Sequence, residues 1–255
     1  MKIKEVVSAL EQFAPLPLQD DFDNAGLQIG LTEAEAAGAL LCLDVTEAVL
    51  DEALALGYNL VISHHPLLFK GCKSITGATY VERCIAKAIK HDLVLYASHT
   101  NLDNARGGVN YKIAEVIGLE RVRPLAPNGA GVIGSLPAAQ RPEDFLQRIK
   151  TLFGAACIRH NAFEGGTIES VALCGGAGSF LIPQAIVKGA DLFLTGEIKY
   201  HEFFGHETQL LLCEIGHYES EQYTRELLAQ LLTDAFPTLP VRVCKSYSNP
   251  IKYLT

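Results

Sequence analysis

The sequence predicts an α/β protein of two similar lobes, an internal duplication, each a mixed sheet flanked by helices. Three observations predict this. Short apolar runs alternate with amphipathic stretches at helical spacing, the pattern of strands covered on both faces by helices. The two halves of the chain match one another at a constant offset. Histidines and carboxylates gather just after the apolar runs, at the C-terminal strand ends where α/β sheets place ligands.

The elements follow in order. Ile3, Val6, Val7 and Leu10 share one helical face, so residues 2–13 read as a helix that Pro15 and Pro17 end. Residues 23–30 read as a turn and a short strand. The run 39–45 is a buried strand, and Thr46 caps a helix over 47–56 that Gly57 stops. Strand 59–63 leads into His64-His65-Pro66. A helix at 79–91, a strand at 93–98 and a helix at 108–117 follow. Pro124, Pro127, Asn128 and Gly129 mark a linker, which divides the chain into lobes 1–125 and 126–255, with the C-terminal segment free to return to the first. In the second half, strands are expected at 131–136, 155–159, 168–174, 192–195, 210–215 and 241–244. Helices are expected at 142–153, 180–188 and 220–232.

The repeat is readable residue by residue. Leu41-Cys42 matches Leu173-Cys174, 132 positions on, and at the same offset Ala53 matches Ala185, Gly57 matches Gly189 and Leu60 matches Leu192. Further along the offset becomes 118, so that His99 falls on His217 and Asp103 on Glu221. Each half therefore carries a strand followed by His-x-x-x-carboxylate. Duplication would let polar residues of both lobes face one cleft.

Composition excludes several classes. The chain has 255 residues, 49% hydrophobic and 20% charged, an ordinary globular balance. Asp plus Glu outnumber Lys plus Arg by 29 to 21, a net charge of −8. An acidic chain with no basic run does not suit nucleic acid or an anionic membrane. Apolar runs stay well short of the ~18 residues of a membrane span. The first residues alternate charge with apolar side chains and lack a signal-peptide core. Seven cysteines, an odd number with no Cys-x-x-Cys, suit a reducing compartment and a cytoplasmic protein.

His64-His65 is the sharpest local signal. Adjacent residues on a regular strand point to opposite faces, but a strand end before proline can turn both to one place. Imidazole is a common ligand for divalent transition metals. With His99, Asp103, His217 and Glu221 the set reaches four histidines and two carboxylates. That exceeds one tetrahedral site and suits two divalent metal ions bridged by a carboxylate, either Asp103 or Glu221. A helix N-terminal charge would explain Glu221 alone; the constellation points to metal in the inter-lobe cleft. His99 and His201 are candidate catalytic acid–base groups; in the repeat His201 falls on Phe69 and Glu197 on His65, so both could line the cleft. The turn 174–179, rich in glycine, reads either as a phosphate-binding turn or as a tight turn needing positive φ. Arg106 is a candidate anion contact.

Five segments carry a family resemblance: Asp23-Asn24-Ala25-Gly26-Leu27-Gln28-Ile29-Gly30, Ser63-His64-His65-Pro66, His99-Thr100-Asn101-Leu102-Asp103, the stretch 195–201, and the stretch 216–221. Together they resemble the Nif-three-like family of dinuclear-metal proteins, whose members include GTP cyclohydrolase 1 type 2 homologues. Phe22 stands where many members have tryptophan. The resemblance implies metal ligation by His64, His65, Asp103, His217 and Glu221, with His99 close by. It implies two zinc, iron or manganese ions per subunit and a ring-shaped homohexamer.

Two functional expectations follow. The first is a metal-dependent hydrolase of a small molecule, a nucleotide such as GTP attacked at its guanine imidazole ring, or a related phosphoester. The alternative is a non-enzymatic metal-binding, metal-delivery or scaffold protein.

Overall fold

The computed structural model describes residues 1–246 and 248–254. Contacts divide the chain into two compact units. One is Met1–Ala105 with Thr224–Lys252, and the other is Arg106–Tyr223 with the residues from Tyr253 onward.

The first unit opens with α1 (Ile3–Phe13), which buries Ile3, Val6 and Leu10 as the spacing predicts. There follow β1 (Gly26–Ile29), β2 (Ala39–Cys42), α2 (Glu47–Leu56), β3 (Leu60–Ser63), α3 (Tyr80–Lys90), β4 (Val94–Ala97) and the one-turn α4 (Thr100–Asn104). Thr46 caps α2 by accepting the Val49 N–H at 3.3 Å. Strands β2, β3 and β4 are parallel, and β1 closes one edge antiparallel to β4. All four residues of β2, β3 and β4 are buried. Leu40, Leu50, Val61 and Ile85 share one face of the sheet with α2 and α3 as a single apolar cluster.

The second unit contains α5 (Val109–Ile117), β5 (Glu120–Pro124), β6 (Val132–Gln140), α6 (Pro142–Phe153), β7 (Arg159–His160), β8 (Ile168–Cys174), α7 (Ile182–Val187), β9 (Leu192–Thr195), β10 (Leu211–Glu214) and α8 (His217–Glu221). Its sheet runs β5-β6-β8-β9-β10-β7, with β8, β9 and β10 parallel and the remainder antiparallel. Ile133, Ala172, Leu181, Ala185, Phe193 and Leu212 form its core. The chain then returns to the first unit through α9 (Thr224–Ala235) and β11 (Val241–Val243), which pairs parallel with β2.

The lobes are similar, as the repeat predicts. Ala39 opposes Leu60 in the first sheet, and Val171 opposes Leu192 in the second. Those pairs are 132 positions apart on both strands. On the third strand the correspondence is Val94 to Leu211, one less than the 118 that relates His99 to His217. The second lobe thus has one extra residue between strand and histidine.

Four details differ from the pattern reading. The expected strand 155–159 shrinks to Arg159–His160, because only these residues lie beside β10, at the sheet edge. The expected helix 220–232 breaks between α8 and α9, where Gln222 donates to the Phe153 carbonyl at 2.9 Å and the Tyr223 hydroxyl to Leu152 at 2.8 Å. Strand β5, just before the expected linker, is rich in charge and exposed, so it lacks an apolar signature. Helix α4 is too short for a periodic pattern to reveal. Among the described residues, no helix is long and apolar enough to cross a membrane.

Candidate metal centre

The first unit gathers three of the expected histidines. His64 N–H donates to the Cys42 carbonyl at 3.1 Å, closing the last pair of β2 with β3, and the chain then bends so that the adjacent His65 N–H also reaches this side, donating to Leu43 at 2.9 Å. Adjacent residues of a regular strand point to opposite faces; this bend accompanies two rings that come together, with centroids 4.8 Å apart. His99, the residue before α4, places its ring 5.3 Å from His64 and 5.5 Å from His65. One ligand-capable atom from each of the three lies within 4.8 Å of the others, a group able to hold a metal ion. Asp103, one helical turn after His99, sets Oδ1 3.7 Å from His64 Nε2.

Each ring is oriented by an oxygen on its other nitrogen. His64 Nδ1 meets the Ser98 carbonyl at 2.8 Å, His65 Nδ1 meets Asp44 Oδ1 at 2.8 Å, and His99 Nδ1 meets Asp23 Oδ1 at 2.7 Å. A carbonyl accepts and never donates, so His64 carries its proton on Nδ1 and presents the Nε2 lone pair. The carboxylates impose the same tautomer on His65 and His99. Such oxygen partners fix ring orientation and raise ligand basicity in metal sites. Asp44 is itself held by the Ser248 hydroxyl at 2.9 Å. Asp23 also accepts from the backbone and hydroxyl of Thr100. Burial alone would raise the Asp23 carboxyl, but the bonds from His99 and Thr100 outweigh it and hold the group at about 2. Asp23 therefore stands as a carboxylate behind His99.

The second unit repeats the device once. His217, at the start of α8, has Nδ1 2.8 Å from Glu197 Oε1 and Nε2 3.1 Å from Glu221 Oε2. A neutral imidazole has one N–H, so it can donate to only one of two flanking carboxylates. The other contact sets lone pair against lone pair unless a cation or a second proton lies there. Glu221 is 3% exposed, where an uncompensated charge is costly. The donor chemistry of both units, imidazole Nε2 facing carboxylate oxygen, fits a divalent first-row metal.

Gly176 makes room for this pair. Its φ is +60°, and an added Cβ would stand 2.3 Å from Glu221 Oε1 and 3.3 Å from His217 Cε1. The turn 174–179 does not present a free phosphate nest. Gly175 N–H donates to Asn110 at 2.9 Å, Gly176 N–H to Ser220 at 3.0 Å and Gly178 N–H to Thr195 at 3.0 Å. It is a tight turn that supports the His217–Glu221 pair from below.

His201 is placed differently. It lies in an exposed aromatic cluster, its ring 5.1 Å from Tyr200 and 6.4 Å from Phe204. It belongs to none of the metal-capable groups among the described residues. The sequence reading passed over Asp44 and Ser248, and took Asp23 as part of a turn and of the first family segment, with no role beside His99. Asp44 did carry a signal: a carboxylate directly after the buried run of β2, at the same sheet edge as the histidines.

Comparison with known proteins shows what the chain as a whole is similar to. The DUF34/NIF3 (NGG1p interacting factor 3) family model matches residues 1–250. A GTP cyclohydrolase 1 type 2 homolog of Clostridium acetobutylicum is 30% identical over 265 residues, covering 99% of each chain. NIF3-like protein 1 of Drosophila melanogaster is 35% identical over 237 residues, covering 87% of this chain and 78% of its own. Among solved structures, Staphylococcus aureus hypothetical protein SA1388 superimposes with a TM-score of 0.93 at 31% identity, covering 100% of this chain and 99% of its own. With the match running nearly end to end, and with its two similar lobes, the chain belongs to the DUF34/NIF3 family.

Proposed function

We propose that this protein is a divalent-metal-dependent hydrolase of a nucleotide, similar in activity to its relatives' name, GTP cyclohydrolase 1 type 2 homolog. In this reading His64, His65, Asp103, His217 and Glu221 together hold two ions, and the chain assembles as a homohexamer. The observation that carries it is the common build of four histidines. Each has Nδ1 tied to an oxygen, and in His64 and His217 Nε2 faces a carboxylate.

Bound divalent ions supply Lewis acidity, which makes a strong nucleophile of water near neutral pH. The chain's own contribution is proton handling and orientation. Adding water at C8 of the guanine imidazole ring opens that ring and requires a proton to move from the nucleophile toward the departing nitrogen. Of the two candidate carriers, His99 has the better support. Asp23 fixes its tautomer and stabilises the imidazolium that forms when Nε2 takes a proton. Of the five proposed ligands His64 is the most buried and His217, with its side chain 33% exposed, the most open to solvent.

Metal content per chain tests the reading first, on protein purified without added metal or chelator. About two ions in the wild type, falling in His65→Ala, is the expected result. Turnover of GTP by the loaded protein, absent from His65→Ala, completes it. A wild type that holds two ions yet turns over neither GTP nor simple phosphoesters sinks the hydrolase. A metal-delivery role then gains, favoured by the 33% exposure of the His217 side chain. Its mark is metal surrendered to a modest chelator without unfolding.

A further inference from the structure

The motif at 23–30 does more than hold His99. Asn24 donates from Nδ2 to the Leu68 carbonyl at 2.7 Å, and Gln28 Oε1 accepts the Leu68 N–H at 3.1 Å. Gln28 in turn donates to the Asn24 carbonyl at 2.7 Å. One residue of the loop after His65 is thus gripped by both of its backbone polar groups. The neighbours of this clamp are aromatic. Phe69 follows Leu68 and Phe22 precedes Asp23, and their rings meet edge to face, 6.2 Å apart at 64°. Phe69 in turn meets His99 at 6.1 Å and 83°.

The exposure of these rings is the unusual part. Phe22 is 65% exposed and Phe69 44%, although both are anchored beside a metal-capable cluster. Exposed apolar rings add nothing to the core, and a loop needs no two-sided clamp merely to cross a surface. A clamp that fixes two bare rings next to an acid–base histidine is preorganisation for a ligand.

We infer that Phe22 and Phe69 form the binding wall for a planar heteroaromatic ring, a purine base, delivered edge-on toward His99. Aromatic faces bind bases through stacking, which is tolerant of ring substituents and independent of phosphate. The assignment of that ring to a substrate rests on the nucleotide-hydrolase reading; the wall itself does not.

The test separates the two. Guanosine, which has the ring and no phosphate, and inorganic triphosphate, which has phosphate and no ring, are titrated into metal-loaded protein and followed by NMR. Phe69→Leu and Phe22→Leu keep apolar bulk and lose the ring. Guanosine affinity is expected to fall at least about fivefold in each, with triphosphate affinity, metal content and Tm unchanged. Phe69→Tyr, which restores the ring, is expected to recover guanosine binding, so a folding defect in the leucine variants is recognised. Unchanged guanosine affinity in both leucine variants overturns the wall. So does a change in oligomeric mass with no change in guanosine binding, since a second copy would then be what covers these rings. A wall that binds guanosine while the protein fails to turn over GTP leaves this inference standing and removes only the hydrolase.

Discussion

Ser248 acts on the cluster through a single carboxylate. Its hydroxyl holds Asp44 Oδ2 while Asp44 Oδ1 holds His65. Ser248→Ala is therefore expected to weaken metal retention about tenfold while leaving the folded state intact. Competition with a chelator reads the first effect and far-UV circular dichroism the second. Gly176→Ala addresses the other unit. A methyl group there meets Glu221 Oε1, and the backbone is already at positive φ. The substitution is expected to cost about 1–3 kcal/mol and to lower metal content, measured by denaturant unfolding and metal analysis. Both residues show where sequence reading stops. Ser248 and Asp44 are 204 positions apart, and a serine on a terminal segment has no local signature. Gly176 was visible only as one glycine among several, because its neighbours come from α8.

At the level of elements, the strands and long helices were legible because burial imposes a period on them. The one-turn helices α4 and α8 were not, yet they are the parts that aim His-x-x-x-carboxylate. Each spans five residues, too few for periodicity, and each was foreshadowed only by the spacing of its polar pair. Helix α3 shows a different local device. Glu82 accepts from the backbone and hydroxyl of Thr76, from Ala78 N–H and from the Thr79 hydroxyl. Those bonds, Thr76's first, bring its carboxyl down to about 2 from the ordinary 4.5. A carboxylate with a lowered folded pKa stabilises fully above its unfolded value and loses that contribution as pH falls toward the folded one. The 76–79 loop is thus expected to loosen between about pH 4.5 and pH 2, seen as faster hydrogen exchange there. In Glu82→Gln the loop should be loose already at pH 7, with little further change on acidification.

For the whole molecule, the repeat was the most informative sequence feature, since it gave two lobes and matched register before any geometry was known. The last expected strand, 241–244, forms as β11 and pairs with β2, so the C-terminal segment does return to the first unit, which is assembled from both ends of the sequence. Each unit has its own core. Phe193→Ala, at a fully buried position in β9, is expected to destabilise by about 3–5 kcal/mol, measured by chemical denaturation. Metal at about a hundred times its dissociation constant is expected to add about 2.7 kcal/mol to the native state, seen as a rise in Tm that His65→Ala abolishes. The pairing of β11 with β2 also sets a timetable for synthesis. Strand β2 leaves the ribosome roughly 200 residues before its neighbour, an interval of about 10–40 s at ordinary translation rates. Through that interval one edge of the first sheet stays open to whatever strand it meets, so the nascent chain is most vulnerable to mispairing while the second unit is being made.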